Sequence, residues 1–234
     1  MSWPARGLVR RLHAWGGVRP APAVSVRLEP LAPRHAPAYQ ALASDARVAA
    51  TTLVPHPYPP GAAAHHIALA ARARARGEAY DFAVVAGVGP RGGAGVVGSC
   101  ALKYVDRDGG QAEVGYWIGV PYWGRGYARA AVRLAVRFAF EDLGLARVVA
   151  EVLESNAASA RVVEAVGFEA VGRFETPDGR HRGATSVLYE LARPAPHARA
   201  AGGAAPGRRV GTAPGGAAPP YGAAGVTASR ASRS

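Results

Sequence analysis

Apolar residues recur along the middle of the chain with two periods, one typical of strands and one of helices. They predict eleven elements in the order β-α-α-β-β-β-α-β-α-β-β. The strands are expected at 24–31, 80–86, 95–103, 113–120, 147–153, 168–174 and 184–191. The helices are expected at 33–44, at 62–76, after the turn at 123–128 up to Gly144, and at 156–166. This order predicts a mixed α+β fold, with one sheet and helices on both of its faces.

The helix that ends at Gly144 shows the clearest amphipathic pattern. Four apolar residues follow helical spacing and are predicted to be buried: Ala131, Leu134, Ala135 and Phe138. Three arginines form the opposite stripe, which we interpret as a solvated face: Arg129, Arg133 and Arg137.

The turn between the strand at 113–120 and this helix predicts an anion site. The unpaired N–H groups of a helix's first turn converge on one point, and the helix dipole adds partial positive charge there. Gly124 and Gly126 have no side chains to keep a phosphate away from the backbone, and Arg125 places a cation beside them. One Gly-x-Gly is weak by itself, because glycine turns before helices are common.

Charge divides the chain into three parts. The 234 residues carry a formal charge of +12, but residues 1–23 and 194–234 hold nine of the 28 Lys and Arg residues and no acid. We therefore expect a poorly ordered basic extension at 1–23, one domain at 24–193 with a charge of +3, and a disordered tail at 194–234 rich in Ala, Gly, Pro and Arg. A nearly neutral domain argues against specific nucleic-acid binding as the main role.

Several other classes of function lack support in the sequence. The lone Cys100 excludes an internal disulfide and fits a reducing cytoplasm, where we expect the protein to act. No apolar run is long enough to span a membrane, and no His or Cys cluster has metal-ligand spacing, so we expect no metal. The adjacent His65 and His66 are interpreted as surface residues.

The order of elements and several motifs resemble the GNAT acetyltransferases, in particular the RimJ/RimL-like branch that acetylates the N-termini of ribosomal proteins. The resemblance covers about 24–193. The motifs are Arg27-Leu-Glu-Pro-Leu31, Glu113-Val-Gly-Tyr-Trp117, Tyr122-Trp-Gly-Arg-Gly-Tyr-Ala128, Asn156-Ala-Ala-Ser159, Gly167-Phe168 and Asp178-Gly-Arg180. The resemblance implies a mostly antiparallel, twisted sheet in which two strands splay apart.

The resemblance also implies that the co-substrate is acetyl-CoA, with its pyrophosphate on the turn at 123–128 and its pantetheine along the end of the 113–120 strand. The implied cofactor residues are Ile118, Val120, Trp123, Gly124, Arg125, Gly126, Tyr127, Ala128, Asn156 and Ser159. Asn156 is also expected to cap the following helix, and the two roles are compatible.

Catalysis requires a base for the amine and an acid for the leaving thiolate. Glu113 is the candidate base, acting through water; its alternative role is to pair with an arginine. The tyrosine that many GNAT enzymes use as the acid is Val163 here, which leaves Ser159 as a weak candidate. His56, Tyr58 and Tyr116 are the candidate substrate-binding residues.

The acceptor remains open at this point. We expect N-acetyl transfer to a protein or peptide N-terminus, by a monomer or a homodimer. The alternatives are a small amine (an antibiotic, a polyamine or an amino acid) and a CoA-binding module without catalysis.

Overall fold

The computed structural model describes residues 25–88, 93–177 and 179–194, and the expected extensions lie outside this range except for Pro194. The strands are β1 (Val26–Pro30), β2 (Tyr80–Val88), β3 (Gly93–Asp106), β4 (Gln111–Ile118), β5 (Arg147–Leu153), β6 (Glu169–Glu175) and β7 (Thr185–Ala192). The helices are α1 (Ala36–Ala43), α2 (Ala46–Ala49), α3 (Ala62–Arg76), α4 (Tyr127–Glu141) and α5 (Ala157–Glu164). Short 3-10 helices occupy Pro33–His35 and Val120–Tyr122.

All seven strands form one sheet in the order β1-β2-β3-β4-β5-β7-β6. Every neighbouring pair is antiparallel except β4 and β5, which run parallel. These two pair only at 111–113 with 147–149, and the last matched residues are Glu113 and Val149. The strands therefore separate after Glu113. The mixed fold and the mostly antiparallel sheet expected from the sequence are confirmed.

The sheet has a helix layer on each face. On the face that we call the α4 face, side chains from α4 and α5 pack against alternate residues of the strands, such as Ala112, Val114 and Ile118 of β4. On the opposite side, the α1/α3 face, Tyr39 and Ile67 pack with Trp117. Strand alternation assigns neighbouring residues of β4 to different faces, so one strand contributes to both cores.

Two details of the predicted strands and helices were wrong. The fourth strand ends at Ile118, and Val120 begins a 3-10 turn in which the Trp123 N–H donates to the Val120 carbonyl at 3.2 Å. Pro121, the residue after Val120, has no N–H to continue a ladder. The helix expected at 33–44 starts as a 3-10 turn, and only Ala36–Ala43 is α-helical.

Helix α4 buries a wider stripe than its spacing indicated. Leu134 is only half-buried, whereas Val132, Val136 and Phe140 are buried along with the other expected residues. The arginine stripe is half-buried instead of fully solvated. Arg133 donates to the Ala165 carbonyl at 3.0 Å, which ties α4 to the end of α5.

Candidate active site

The turn before α4 has the geometry of an open anion site. Gly126 is the N-cap of α4 with φ 78°, and Gly124 has φ 73°, a left-handed conformation that favours glycine. A Cβ built on Gly124 would meet no described atom within 4 Å, so the space over the turn is free to receive a ligand. The first N–H groups of α4 border this space, and they have no acceptors within the helix.

Side chains around the turn fix its shape. The Trp123 indole Nε1 donates to the Ile118 carbonyl at 2.6 Å, which folds the turn back onto the end of β4. The Arg125 guanidinium lies 5.9 Å from the centre of the Tyr122 ring, and Tyr127 packs against the same ring. Ile118 itself is buried in the core, so its expected role toward a cofactor stays a prediction.

The start of α5 meets β4 beyond the point where β4 and β5 separate. The Asn156 Oδ1 accepts from the Ser159 N–H at 3.1 Å, so the predicted N-cap is confirmed. The Ser159 Oγ lies 2.8 Å from the Tyr116 hydroxyl oxygen. Burial raises the pKa of Tyr116 to about 12, which keeps this hydroxyl protonated at neutral pH. The structure places Tyr116 beside Ser159, and its predicted role in binding the substrate stays a prediction.

The candidate base Glu113 forms an ion pair with a lysine. Lys103 Nζ lies 2.7 Å from Glu113 Oε1, and the two side chains are 31% and 14% exposed. Burial lowers the pKa of Lys103, but the neighbouring Glu113 carboxylate outweighs it, so the pKa is raised overall. The alternative role considered for Glu113 was a pair with an arginine; the partner in the structure is Lys103, which faces it across β3 and β4.

A second carboxylate, which sequence reasoning missed, lies near this pair. Glu151 on β5 contributes to the raised pKa of Lys103. Its Oε1 accepts a 2.8 Å hydrogen bond from the Ser186 hydroxyl, and Ser186 is also bonded to Thr176 at 2.8 Å. The signal in the sequence was a single acid between Ala150 and Val152 in an otherwise apolar part of the predicted strand.

The predicted substrate residues His56 and Tyr58 lie in the segment before α3. His56 is exposed, and its carbonyl accepts from Arg180 at 3.3 Å. Tyr58 is half-buried, with its ring 6.4 Å from that of Tyr39. The His181 ring nitrogen Nε2 lies 3.0 Å from the Thr52 carbonyl. The β6–β7 loop therefore contacts the 51–58 segment at two points.

The two adjacent histidines have different surroundings. His65 is exposed as predicted, but His66 Nε2 lies 3.2 Å from Asp81 Oδ1, and its ring is 5.5 Å from Tyr39. Tyr39 packs edge-on against Trp117, with ring centres 4.9 Å apart. Burial raises the pKa of Tyr39 well above its ordinary value. Tyr39 and Trp117 belong to the α1/α3 core, whereas the His66 side chain is 40% exposed.

The described residues contain neither a metal-binding cluster nor a helix that could span a membrane. Within 25–88, 93–177 and 179–194, no group of three or more His, Cys, Asp or Glu residues is arranged to hold a metal ion. None of the described helices combines the length and apolar character needed to cross a bilayer.

Comparison with known proteins identifies the family. The acetyltransferase (GNAT) domain matches residues 25–169, and the chain belongs to this family of acetyl-CoA-dependent acyltransferases. It is similar to the uncharacterized N-acetyltransferase p20 of Bacillus licheniformis, with 34% identity over 88 residues, which are 36% of this chain and 49% of p20. The chain spans about half or less of the length of the first curated relatives it matches.

Solved structures share the fold at low identity. A spermidine N-acetyltransferase from Vibrio cholerae, in complex with CoA and spermine, has a TM-score of 0.60 and 17% identity over 71% of this chain and 95% of that chain. RimJ from Mycobacterium smegmatis, in complex with CoA-disulfide, has a TM-score of 0.64 and 20% identity over 71% of this chain and 81% of that chain. Both likenesses support the fold.

Proposed function

We propose that the protein is an N-acetyltransferase that moves the acetyl group of acetyl-CoA to a primary amine in the cytoplasm. The observation that carries this proposal is the position of the open glycine turn at the end of β4. The turn follows β4, the strand that separates from β5 and bears Glu113 and Tyr116. Acetyl-CoA supplies an activated acyl group when bound, and the protein's part is to hold it and to manage the protons of the amine.

Each part of the turn has a defined task in this proposal. The N–H groups at the start of α4 and the Arg125 guanidinium neutralise phosphate charge, and Gly124 leaves the backbone open to close approach. The opening between β4 and β5 leaves backbone groups of β4 without a partner on β5 beyond Glu113, and these can bond an extended amide chain. Ser159 and Tyr116 lie beside this opening and can give a proton to a leaving thiolate.

A protein or peptide N-terminus is the acceptor that we favour. Its amine has an ordinary pKa of about 7.7–8.0, so it needs less help to lose a proton than a lysine or polyamine amine does. The likeness to RimJ agrees with this choice at the level of fold, and the likeness to the spermidine enzyme equally supports a small polyamine.

The test is a transfer assay that reads free thiol from acetyl-CoA. The panel contains peptides with free N-termini, the same peptides with acetylated N-termini, spermidine and an aminoglycoside. We expect thiol release with free-amine peptides and none above background with their blocked counterparts. Calorimetry with CoA runs in parallel. CoA binding without transfer to any amine would contradict the proposed acetyltransferase activity and favour a CoA-binding module without catalysis.

A further inference from the structure

In the described part of the chain, one half of the α1/α3 face of the sheet carries no helix. The helices of this face, α1 and α3, pack on β3 and β2, whereas the helices that contact β5 are α4 and α5 on the other face. Residues matched across neighbouring strands share a face, so one row of side chains lies on the uncovered half: Lys103, Glu113, Val149, Glu190 and Glu169. We call this area the open half-face. It begins at the last matched residues of β4 and β5, directly beside the opening between these strands.

A distorted backbone turns an aromatic ring onto the open half-face. Leu102 and Val105 both pack in the α4 core, so the two residues between them depart from strict strand alternation. Lys103 Nζ lies 2.7 Å from Glu113 Oε1 and 5.7 Å from the centre of the Tyr104 ring, which places both side chains on the open half-face. Tyr104 has φ 49°, which is rare for a bulky residue, and it is 53% exposed. The distortion therefore exposes a ring that strict alternation would direct into the core.

Carboxylates outnumber cations on the open half-face. The Lys103 ammonium neutralises Glu113, but Arg147 Nη1 lies 3.9 Å from Glu190 Oε2, which is longer than a hydrogen-bonded ion pair. Glu169 is matched to Glu190 on the neighbouring strand and forms no ion pair with any described residue. Like charges directly opposite each other destabilise a sheet. A cation from outside the fold would relieve this repulsion.

The charges also decide between occupants of the open half-face. A second copy of the chain would bring the same excess of negative charge against it, and nucleic acid would add phosphate charge, so both are disfavoured. A cationic polypeptide is favoured. In the proposed reaction, an acceptor enters the opening that this face adjoins.

Strand spacing places an acceptor chain between the aromatic ring and the carboxylates. A chain that leaves the opening between β4 and β5 has β3 with Tyr104 on one side and β7 with Glu190 on the other, each roughly 7 Å away at the usual strand spacing. Side chains on both partners can span this distance. An extended chain advances ~3.4 Å per residue, so about the third to fifth residues of the acceptor pass the row that contains Glu190.

We propose that the acceptor polypeptide continues from the opening onto the open half-face, where Glu190 and Glu169 favour Lys or Arg at about its third to fifth residues and the Tyr104 ring packs against the chain. This inference rests on the proposed N-acetyl transfer and narrows its substrate class to protein N-termini that are followed by basic residues. All three side chains contact the acceptor away from the reacting amine. They are therefore specificity-determining residues and take no part in the proton transfers.

Three peptides test this preference directly. They have free N-termini and equal lengths, and they differ only in carrying Lys, Gln or Glu at the third to fifth residues. We expect the wild-type kcat/KM to be about tenfold higher for the Lys peptide than for the Gln peptide, mainly through KM, because several exposed charge pairs contribute together. The Glu peptide should be the poorest acceptor, and the preference should shrink in about 0.5 M salt, which screens such pairs. Equal kcat/KM for all three would overturn the inference while leaving acetyl transfer established. A wild-type protein that transfers to no amine would reject the proposed function as well.

The two carboxylates are tested together in one double variant. Glu169→Gln combined with Glu190→Gln should reduce the preference for the Lys peptide over the Gln peptide to about twofold or less. The double variant should fold, because it removes two like charges that oppose each other, and calorimetry should show wild-type CoA affinity. Glu141→Gln is the control, since it removes a carboxylate that pairs with Arg137 near the end of α4, and it should keep the full preference. A double variant with the wild-type preference would overturn the inference.

The aromatic ring has its own pair of variants. Tyr104→Gly removes the ring, and glycine adopts φ 49° without strain, so this variant should fold. We expect KM for the Lys and Gln peptides to rise by about threefold with kcat unchanged, and Tyr104→Phe to retain the wild-type value. A wild-type KM in folded Tyr104→Gly would exclude the ring from the acceptor surface.

Binding supplies a readout that does not depend on turnover. N-acetylated forms of the Lys and Gln peptides, which cannot react, are titrated into CoA-saturated protein. The Lys form should bind the wild-type protein several-fold more tightly than the Gln form, and the two should bind the double variant equally. Spermidine separates a polyamine from a polypeptide. A kcat/KM for spermidine above that for the Lys peptide, and reduced in the double variant, would overturn the polypeptide acceptor in favour of a polyamine.

Discussion

The glycine turn at 123–128 and the surroundings of Glu151 are built in opposite ways. The turn is one continuous stretch whose shape depends on glycines and on the indole of Trp123. Glu151 is positioned by Ser186 and Thr176, which are 35 and 25 residues away in sequence and belong to β7 and to the segment after β6. A site made of neighbours in sequence is readable as a motif, whereas a site made of strand partners depends on the register of the sheet.

The largest expected effect tests the role of the glycine turn in binding CoA. Gly126→Val places a β-branched side chain at φ 78° and in the space proposed for the phosphates, so CoA affinity should fall by at least about 100-fold, or about 2.7 kcal/mol. Gly144→Val is the matched control, since Gly144 has φ 72° but lies beyond the far end of α4. It should lose stability with CoA affinity unchanged. Calorimetry and thermal melting separate the two results. If the folded Gly126→Val variant binds CoA with wild-type affinity, the turn is not part of the CoA site.

The next effect concerns the stability of the α1/α3 face. Burial would raise the pKa of Glu29, but hydrogen bonds from Arg34, Arg27 and His35 outweigh it and lower the pKa to about 2. A lowered folded-state pKa stabilises the protein above the ordinary value near 4.3, and the gain is lost as pH falls toward 2. Glu29→Gln should therefore cost about 2 kcal/mol at pH 7 and progressively less below pH 5.

Urea denaturation at pH 7 and pH 4 measures this difference. The control is Glu78→Gln, because Glu78 pairs with Arg76 at an exposed site, where solvent screens the attraction between the two charges. CoA affinity should stay at the wild-type level in both variants. A Glu29→Gln cost that stays constant between pH 7 and pH 4 would show that the loss is one of packing.

A smaller effect tests the hydrogen bond between Tyr116 on β4 and Ser159 in the first turn of α5. Tyr116→Phe and Ser159→Ala each remove one partner of the 2.8 Å hydrogen bond. Each should cost about 1 kcal/mol of unfolding free energy, and the double variant should cost less than their sum by about 0.5–1 kcal/mol. Strict additivity would mean that the two hydroxyl groups do not interact in solution.

The smallest effect is expected outside both regions. Removing 195–234 should change the melting temperature and CoA affinity very little, because this tail contains few large apolar residues. A fall in melting temperature of several degrees would show that the tail docks on the domain. Loss of transfer only to ribosome-bound acceptors would favour a targeting role.

The order of the elements along the chain and the turn before α4 could be predicted from short-range sequence patterns. The pattern of apolar residues predicted all seven strands, and the glycine spacing predicted the turn before α4. The Asn156 cap was also predicted, because its bond to the Ser159 N–H spans only three residues. These features depend on contacts that a linear motif contains.

Other features depend on which strands become neighbours. Lys103 reaches Glu113 because β3 and β4 pair in one particular register. A different register would place another residue of β3 opposite Glu113. The contact between His66 and Asp81 joins α3 to β2, and the strand alone gave no reason to expect it. Ser186 gave no signal in sequence, since a serine in a strand is ordinary until its hydroxyl is seen against Glu151.

The contacts between the β6–β7 loop and the 51–58 segment end on backbone carbonyl groups, those of His56 and Thr52. Every amino acid supplies such a carbonyl, so replacing an exposed side chain of this segment, such as that of His56, removes neither acceptor. If this segment borders the acceptor, as predicted for His56 and Tyr58, selection could change its exposed residues while both contacts remained. Closely related chains could diverge in acceptor preference through this segment while the cofactor turn stayed the same.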